Sequence, residues 1–283
     1  MLFKILAFVA VISAGPLHGA NEVEKARSLY QTTDYAGALA LLKQFPDGPD
    51  AQLLAGQCHY MSRDYKRAIE LFEKAAAARL DQSKLWMWLG RGWGRRAESA
   101  NPFQAPVFAG RARDAFEKAV KLDAKNLEAV SDLFSYYMEA PGFLGGGSDK
   151  AAALAETIKT VNPPEYEYLS AQLAIKHKQD GTAEKHLRRA LELEPKSIGR
   201  LCDLAAFLAA RGRHQESAAL FDQAAKLEPA SPKRRFAQAK VLVEAKQNFA
   251  AARQLLDEYL KSSLTPDDPS REEARQLLKR AGR

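Results

Sequence analysis

The glycine-rich segment Phe143–Lys150 comes closer than any other part of the sequence to a motif with chemistry. It reads Phe-Leu-Gly-Gly-Gly-Ser-Asp-Lys, and glycines before a helix can turn backbone N–H groups toward an anion. A nucleotide-binding loop needs Gly, four residues and then Gly-Lys-Ser/Thr after a strand, and this segment has neither that order nor a strand. Two interpretations stay open: a tight turn in which Gly145, Gly146 and Gly147 take positive φ, or a loop that binds a ligand or partner.

The interpretation as a turn makes two further predictions about this segment. Ser148 or Asp149 would cap the helix that follows through its side chain. Phe143 and Leu144 would pack on the neighbouring helix, so that the apolar side chains of the loop belong to the fold.

A second cluster combines aromatic and basic residues between Trp86 and Arg96. Arg91 and Arg95 are four residues apart and therefore share one face of a helix. Trp86 and Trp93 follow the apolar stripe and are predicted to be core residues, whereas Trp88 falls outside that stripe.

Patterns typical of catalysis and metal binding do not stand out. The histidines are scattered, without His-x-x-x-His spacing or a nearby Cys/Asp set: His18, His59, His177, His186 and His214. No serine elbow, paired carboxylates or Cys–His pair stands out either. We therefore expect no catalytic residues, no metal, no cofactor and no enzymatic activity. An enzyme would need titratable groups that converge from distant parts of the chain.

The elements that carry these residues follow a repeat of about 34 residues. Its clearest copy runs from Gly199 to Pro229, where Gly212 separates two apolar stripes, and the preceding copy ends at Pro195, 34 residues before Pro229. This is the spacing of a helix–turn–helix repeat. One helix pair cannot bury both of its apolar faces, so each pair must stack on the next.

The sequence resembles the tetratricopeptide repeat family over nearly all of its length. The family has small residues where helices approach closely and large residues between them, and seven copies in phase carry the resemblance: Ala26, Leu29, Tyr35 and Ala38; Gly56, Tyr65, Ala68, Phe72 and Ala75; Trp86, Leu89, Gly90, Trp93, Ala112, Phe116 and Ala119; Val130, Leu133, Tyr137, Ala151, Ala155 and Pro163; Ala171, Ala174, Ala183, Leu187, Ala190 and Pro195; Leu201, Leu204, Ala205, Leu208, Ser217, Phe221, Ala224 and Pro229; Phe236, Val243, Ala252 and Leu256. The resemblance implies an all-α, right-handed superhelical solenoid of about seven units over residues 21–265, closed by a capping helix within residues 266–283.

The same resemblance implies that the first helix of each repeat lines a concave groove that binds a partner. Carried over position by position, it assigns the groove to Arg27, Tyr30, Gln57, Tyr60, Met61, Met87, Arg91, Arg95, Ser135, Met138, Tyr168 and Gln172, to which we add Trp88. A mixture of Tyr, Met and Arg is typical of a contact surface. An ordinary solvated inner face is the alternative.

Two repeats are longer than the pattern. Gly90 to Ala112 spans 22 positions where 12 are expected, which places an insertion near residues 98–108; Tyr137 to Ala151 spans 14 where nine are expected, which places another at residues 140–148. Each insertion joins the first and second helix of its own repeat. We therefore expect them side by side on one edge of the solenoid, where insertions in repeat proteins often contribute to binding.

The first twenty residues resemble a secretory signal peptide. Lys4 is their only charge, an apolar run follows to Ala14, and Gly15-Pro16 and a small residue, Ala20, precede Asn21. That order is typical of such signals, and the run is too short to span a bilayer. We expect cleavage before Asn21 and a periplasmic or secreted protein without a transmembrane helix after signal removal; a buried N-terminal helix is the alternative.

The charge of the chain bears on the classes of partner, and its two cysteines bear on disulfide formation. The chain has 42 basic and 35 acidic residues, a formal charge of +7. Basic residues such as Lys233-Arg234-Arg235 could meet phosphates, but an exported chain is not expected to bind nucleic acid, and a basic surface can serve solubility alone. Cys58 and Cys202 lie about four repeats apart, too far for a disulfide, so we expect two free, buried thiols.

The sequence thus favours a non-catalytic scaffold of the cell envelope that binds a protein or peptide in its groove. The alternative is a ligand-binding or envelope-assembly accessory protein that recognises an acidic small molecule or polymer. That alternative predicts a pocket between Arg91, Arg95 and the loop Gly145–Gly147.

Overall fold

Fifteen α-helices and one turn of 3₁₀ helix make up the described part of the computed structural model, which covers residues 16–44 and 48–282. No strand occurs within these residues. The first residues of the predicted signal peptide lie outside them. The helices are α1 (Pro16–Gln31), α2 (Tyr35–Leu42), α3 (Pro49–Met61), α4 (Tyr65–Ala78), α5 (Ser83–Glu98), α6 (Ala105–Leu122), α7 (Leu127–Glu139), α8 (Ser148–Thr157), α9 (Pro163–Lys176), α10 (Asp180–Leu193), α11 (Ile198–Ala209), α12 (His214–Leu227), α13 (Pro232–Glu244), α14 (Phe249–Lys261) and α15 (Arg271–Arg280).

The first fourteen helices form seven antiparallel pairs, α1–α2 to α13–α14, as an all-α repeat solenoid requires. Close packing within two of the pairs, α3–α4 and α5–α6, depends on a glycine of the first helix. A Cβ atom added to Gly56 would lie 2.5 Å from the ring of Phe72, and one added to Gly90 would lie 2.5 Å from the ring of Phe116. These contacts confirm that the glycine of the first helix makes room for the phenylalanine of the second.

The two layers of the array pack differently. Successive first helices contact one another at α1–α3, α3–α5, α5–α7, α7–α9 and α11–α13. Within the described residues, no two second helices pack backbone against backbone in this way; α10 and α12 meet only through longer side chains, such as the ion pair of Arg188 and Glu216. Because the layer with the smaller radius of curvature brings its helices closer together, the first helices form the inner layer of the solenoid.

Short polar caps and left-handed turns define the regular pairs. Asp34 and Asp64 accept a backbone N–H at the start of α2 and α4, as N-cap residues do. In the five pairs without an insertion, the short turn between the helices contains a residue with positive φ: Thr33, Arg63, Lys178, Gly212 and Lys246. The other two pairs, α5–α6 and α7–α8, have longer connections, and that of α7–α8 contains positive-φ glycines of its own, Gly145 and Gly147.

The first insertion is mostly helical rather than a loop. It lengthens α5 to 16 residues and α6 to 18 residues, against 12 to 14 in α11 to α14, and leaves residues 99–104 as the connection. The rings of Trp93 and Phe108 stack at 5.3 Å between the two helices. The longer hairpin therefore projects beyond the neighbouring repeats by about one helical turn.

The last helix, α15, packs against α13 and α14. Ser270 and Glu273 form a reciprocal capping box at its start, which satisfies two backbone donors. Ala274, Leu277 and Leu278 are buried, and the other face of the helix is charged. Among the described helices, none is both long and apolar enough to cross a membrane.

Candidate functional site

Two adjoining cavities form one cleft along the inner layer, and we call this the central cleft. The first has a volume of about 480 Å³ and the second about 500 Å³, and Ser135 and Glu139 line both. Four first helices contribute to the cleft: α3, α5, α7 and α9. Most of the predicted partner-binding residues line it: Tyr60, Arg91, Arg95, Ser135, Met138, Tyr168 and Gln172.

The long hairpin α5–α6 forms one wall of the central cleft with small residues. Gly94 and Ala97 of α5 and Ala109 of α6 line the first cavity. A Cβ atom on Gly94 would meet no atom within 4 Å. The space beside α5 is therefore open at Gly94, between the larger side chains of the same wall.

The second insertion closes the same cavity from the other side. Ala140 and Leu144 line it, and Arg113 of α6 donates to the carbonyl oxygen of Leu144 at 3.2 Å. The two insertions therefore lie side by side, as the sequence predicted. A pocket between Arg91, Arg95 and this segment exists, although Leu144 lines it rather than the three glycines.

Arg91 is the most strongly engaged charge in the central cleft. It bonds to Asp132 at 2.6 Å and to Glu128 at 3.1 Å, and its guanidinium lies 4.7 Å from the centre of the Trp88 ring. Burial lowers its pKa, but Asp132 and Glu128 outweigh that effect and the pKa is raised. Burial raises the pKa of Asp132, and Arg91 offsets part of this shift.

Arg95 lies one turn further along α5 and is also paired. It donates to Glu98 at 2.8 Å and to the hydroxyl of Tyr60 at 3.4 Å. Its hydrogen bonds to these two residues raise its pKa. Both arginines of the predicted cluster therefore have their charge balanced by carboxylates of the protein itself.

Some residues assigned to the groove are not accessible there, and Met87 and Trp88 are the clearest cases. Their side chains are 1% and 8% exposed. The prediction that they line the binding surface is therefore wrong. Trp88 packs edge-on against Tyr60 at 5.4 Å and beside Phe72 at 5.9 Å, which makes it a support for the cleft.

The predicted burial of four further residues also needs correction. Tyr30 and Gln57, both carried over to the groove, are buried as well. Trp86 and Trp93, predicted as core, are only partly buried, although both pack against the core clusters. Their rings are covered on the open side by Lys118 and Arg111 instead of by apolar residues.

The glycine segment is held in place by several bonds. Gly145 and Gly147 have positive φ, whereas Gly146 does not, so the prediction for three glycines is correct for two. A Cβ on Gly146 would lie 1.8 Å from the carbonyl oxygen of Ala140. The hydroxyl of Tyr136 donates to Leu144 O at 2.8 Å.

Two predictions about the side chains of this segment are wrong. The N-cap of α8 is Gly147, and neither Ser148 nor Asp149 makes a side-chain cap because the helix already begins at Ser148. Phe143 does not pack on a neighbouring helix, since it is 83% exposed. Leu144 is partly buried against the cleft wall.

Several cleft residues were not found from the sequence: Asp132, Tyr136, Glu139 and Lys176. Asp132 lies three residues before Ser135, so the same helical face predicts it. Glu139, which lines both cavities, makes no hydrogen bond or ion pair among the described residues. Lys176 bonds to the carbonyl oxygen of Met138.

A partly buried ionic cluster borders the cleft beyond Tyr168. Arg200 of α11 bonds to Glu165 of α9 at 2.5 Å and lies 4.7 Å from the ring of Tyr168. Asp203 lies 3.8 Å from the same arginine, and burial raises the pKa of Asp203 to about 6. Side chains rather than close backbone packing therefore join α9 to α11, which do not contact each other as the other first helices do.

Both cysteines are free and buried, as predicted. Burial raises the pKa of Cys58 to about 12 and that of Cys202 to about 11, so neither thiol is activated. Over the described ranges, no group of three His, Cys, Asp or Glu residues could hold a metal ion.

Comparison with known proteins agrees with this architecture. The family model described as tetratricopeptide repeat matches residues 23–91 and 202–269. The fold is similar to that of a tetratricopeptide repeat protein from Parabacteroides merdae, with a TM-score of 0.60, 13% identity and coverage of 94% of this chain and 99% of that one. It is also similar to that of a thermophilic TPR protein of Thermus thermophilus, with a TM-score of 0.55, 19% identity and coverage of 67% and 98%. At such identities the likeness shows the fold alone. No curated protein matches the chain.

Proposed function

Since the chain is a tetratricopeptide repeat protein, we propose that it is a non-catalytic scaffold that holds a segment of a partner protein in the central cleft. Such repeats generally mediate protein–protein interaction through the surface that the solenoid presents. The continuity of the two cavities through Ser135 and Glu139 carries the proposal. A cleft open along four first helices suits an extended peptide better than a compact ligand.

The composition of the cleft supports a peptide with apolar and basic groups. Tyr60, Met138 and Tyr168 offer the apolar and aromatic contacts that are enriched at interfaces. In the described part of the chain, Glu139 makes no hydrogen bond or ion pair where the two cavities meet. A Lys or Arg side chain of the partner would therefore find a free carboxylate there.

The charge balance weighs against the alternative, an acidic small molecule or polymer. Arg91 is held by Asp132 and Glu128, and Arg95 by Glu98. An anionic ligand would have to break these pairs and leave the partly buried Asp132 without its cation, which is costly. Unchanged partner binding by Arg95→Ala would agree with the peptide; loss of all binding would favour the acidic ligand.

The decisive experiment fills the cleft without disturbing the core. Gly94→Leu places a side chain into the first cavity, where a Cβ meets nothing within 4 Å. Gly110→Leu is its matched control: Gly110 is also a glycine inside the hairpin helices with no atom within 4 Å of a Cβ, but it does not line the cavity. Both exchanges favour the helix by about 1 kcal/mol.

The readout is a photo-reactive residue at exposed Ser135, with Gln223 of α12 as the control position, and mass spectrometry of the cross-linked protein in its native envelope. We expect a partner that is cross-linked at residue 135, lost in Gly94→Leu and kept in Gly110→Leu. The same cross-link in both leucine variants, or none at residue 135, would contradict the proposal.

We further propose that the protein is exported and acts in the bacterial periplasm or outside the cell. The order of residues 1–20 supports this: one basic residue, an apolar run, Gly-Pro and Ala20. N-terminal sequencing of the protein from a periplasmic fraction should begin at Asn21. A cytoplasmic protein that keeps Met1 would refute export but leave the scaffold proposal untouched.

A further inference from the structure

The large apolar side chains that the described chain exposes most fully are both on insertions. Phe103 is 91% exposed and Phe143 is 83% exposed, and Val107, one turn into α6, is 55% exposed. Residues 99–104 are fixed all the same, because Asn101 accepts the backbone N–H groups of Phe103 and Gln104 at 3.1 and 3.0 Å. The tip of the α5–α6 hairpin thus presents an apolar side chain that the fold itself does not use.

Two cations stand directly behind this tip. Arg111 lies 4.5 Å from the centre of the Trp93 ring, and Arg96 lies 5.4 Å from that of Phe108. These two rings stack on each other, so the two arginines lie on either side of an aromatic pair that joins α5 to α6. Such cation–π contacts keep the guanidinium groups in place while leaving their charge uncompensated.

The carboxylates nearby are already engaged. Glu98 is paired with Arg95 and Asp114 with Arg113. Arg96 and Arg111 make no ion pair within the described residues. Residues 95–114 contain four arginines, one glutamate and one aspartate, so this end of the hairpin carries a net charge of +2 by sequence, and Arg96 and Arg111 supply it.

We propose that the tip of the α5–α6 hairpin attaches the protein to an anionic lipid surface. Val107 and Arg111 are one helical turn apart, which is about 6 Å along α6. An apolar tip inserted to a depth of about 5–10 Å places a cation at that distance among the lipid phosphates. The alternative is a protein partner that binds the Phe103 ring in an apolar pocket. Such a partner would not require an unpaired cation one helical turn behind the apolar tip.

The test uses the chain from Asn21, which keeps every residue of the core clusters, since the earliest of these is Val23. Flotation is measured with vesicles of phosphatidylcholine containing 30 mol% phosphatidylglycerol, and with phosphatidylcholine alone. Circular dichroism and thermal unfolding verify that each variant is folded. We expect binding to the anionic vesicles that decreases with salt.

Matched variants distinguish the contribution of the tip to vesicle binding from that of exposed charge and apolar side chains elsewhere on the protein. Phe103→Ala should weaken binding about tenfold, and Arg111→Gln about fivefold. Phe143→Ala, an equally exposed ring on the other insertion, and Lys226→Gln, an exposed cation on α12, should each change binding less than twofold. Absence of binding by the folded chain, equal binding by Phe103→Ala, or equal effects of Lys226→Gln and Arg111→Gln would each overturn the proposal. A cross-link from position 103 to a protein, without vesicle binding, would also overturn it.

This attachment does not rest on the function proposed for the central cleft. Gly94→Leu should leave vesicle binding unchanged, and Phe103→Ala should leave the cross-link at residue 135 unchanged. The two proposals therefore fail separately.

Discussion

The repeats α5–α8 at the centre and the repeats α11–α14 near the C-terminus show what regularity and irregularity each contribute. The C-terminal pairs have helices of 12 to 14 residues, left-handed turns at Gly212 and Lys246, and a match to the family model over residues 202–269. The central pairs have insertions in place of these turns, and most of their length falls between the matched segments. The first cavity of the cleft and the exposed aromatic tips are at the centre.

The difference teaches that the repeat determines the scaffold, whereas departures from it create the site. In α11–α12 the side chains of Leu204, Leu208 and Phe221 fill the space between helices. In α5–α6 the helices extend past their neighbours, and small residues such as Gly94 and Ala109 leave a cavity. An open cleft at the centre is tolerated because the cores of the flanking repeats stabilise the array as neighbours.

The largest expected effect is a loss of stability when a core side chain of a regular repeat is truncated. Phe221 is buried at the centre of the α11–α12 pair, and Phe221→Ala should lower the free energy of unfolding by about 3–5 kcal/mol. Urea denaturation followed by circular dichroism measures the change. Phe143→Ala at the centre serves as the control and should stay within about 0.5 kcal/mol. Equal losses in both variants would contradict the assignment of Phe143 as a side chain that the fold does not use.

A second exchange tests whether the central loop is as rigid as its bonds indicate. Gly146→Ala places a Cβ against the carbonyl oxygen of Ala140, at 1.8 Å in the present backbone, so the backbone must shift. We expect a loss of about 2–3 kcal/mol together with weaker cross-linking at residue 135, because Leu144 moves with the loop. Wild-type stability and cross-linking would show that the loop adapts freely.

A third prediction concerns the border between the two regions, where Asp203 faces Arg200. Its pKa is raised to about 6 in the folded chain, above that of an unfolded Asp near 3.9. The folded state therefore binds more protons than the unfolded state between about pH 4 and 6, and stability falls as pH rises through this window. Asp203→Asn should remove that fall and gain up to about 2 kcal/mol over wild type by pH 7, after discounting for partial exposure. Thermal unfolding from pH 4 to 7 measures it. A stability difference between the two proteins that does not change with pH would contradict the assignment.

The smallest expected effect is the loss of stability on replacing a glycine in a regular turn, and it distinguishes such turns from the central loop. Gly212 has a φ of 77° and open space around it, so Gly212→Ala should cost only about 1 kcal/mol from backbone strain. The same denaturation experiment detects it, and cross-linking at residue 135 should not change. A loss as large as that of Gly146→Ala would remove the distinction between the two kinds of turn.

Much of the site could be predicted from the sequence, because the resemblance to tetratricopeptide repeats assigns fixed positions of each first helix to the groove. The positions of Arg91, Arg95, Ser135 and Tyr168 along their helices put them on the inner layer, and the structure brings them to one cleft. The assignment failed at Met87, which was carried over in the same way, and at Trp88, which was added to the set. There the width of the buried stripe depends on how closely α3 and α4 pack against α5, which spacing within one helix does not reveal.

The amino-acid sequence by itself determined the number of helix pairs, the positions of the two insertions and the small residues that let the helices pack. These depend on local periodicity and on side-chain size, both of which can be read along the chain. Only the tertiary structure decided that Arg91 and Arg95 are neutralised by Asp132 and Glu98. It alone showed that, in the part of the chain it describes, Glu139 has no partner where two cavities meet and Phe103 is exposed beside two arginines without ion pairs. Those facts depend on distances between residues of different helices, which arise only when the repeats stack.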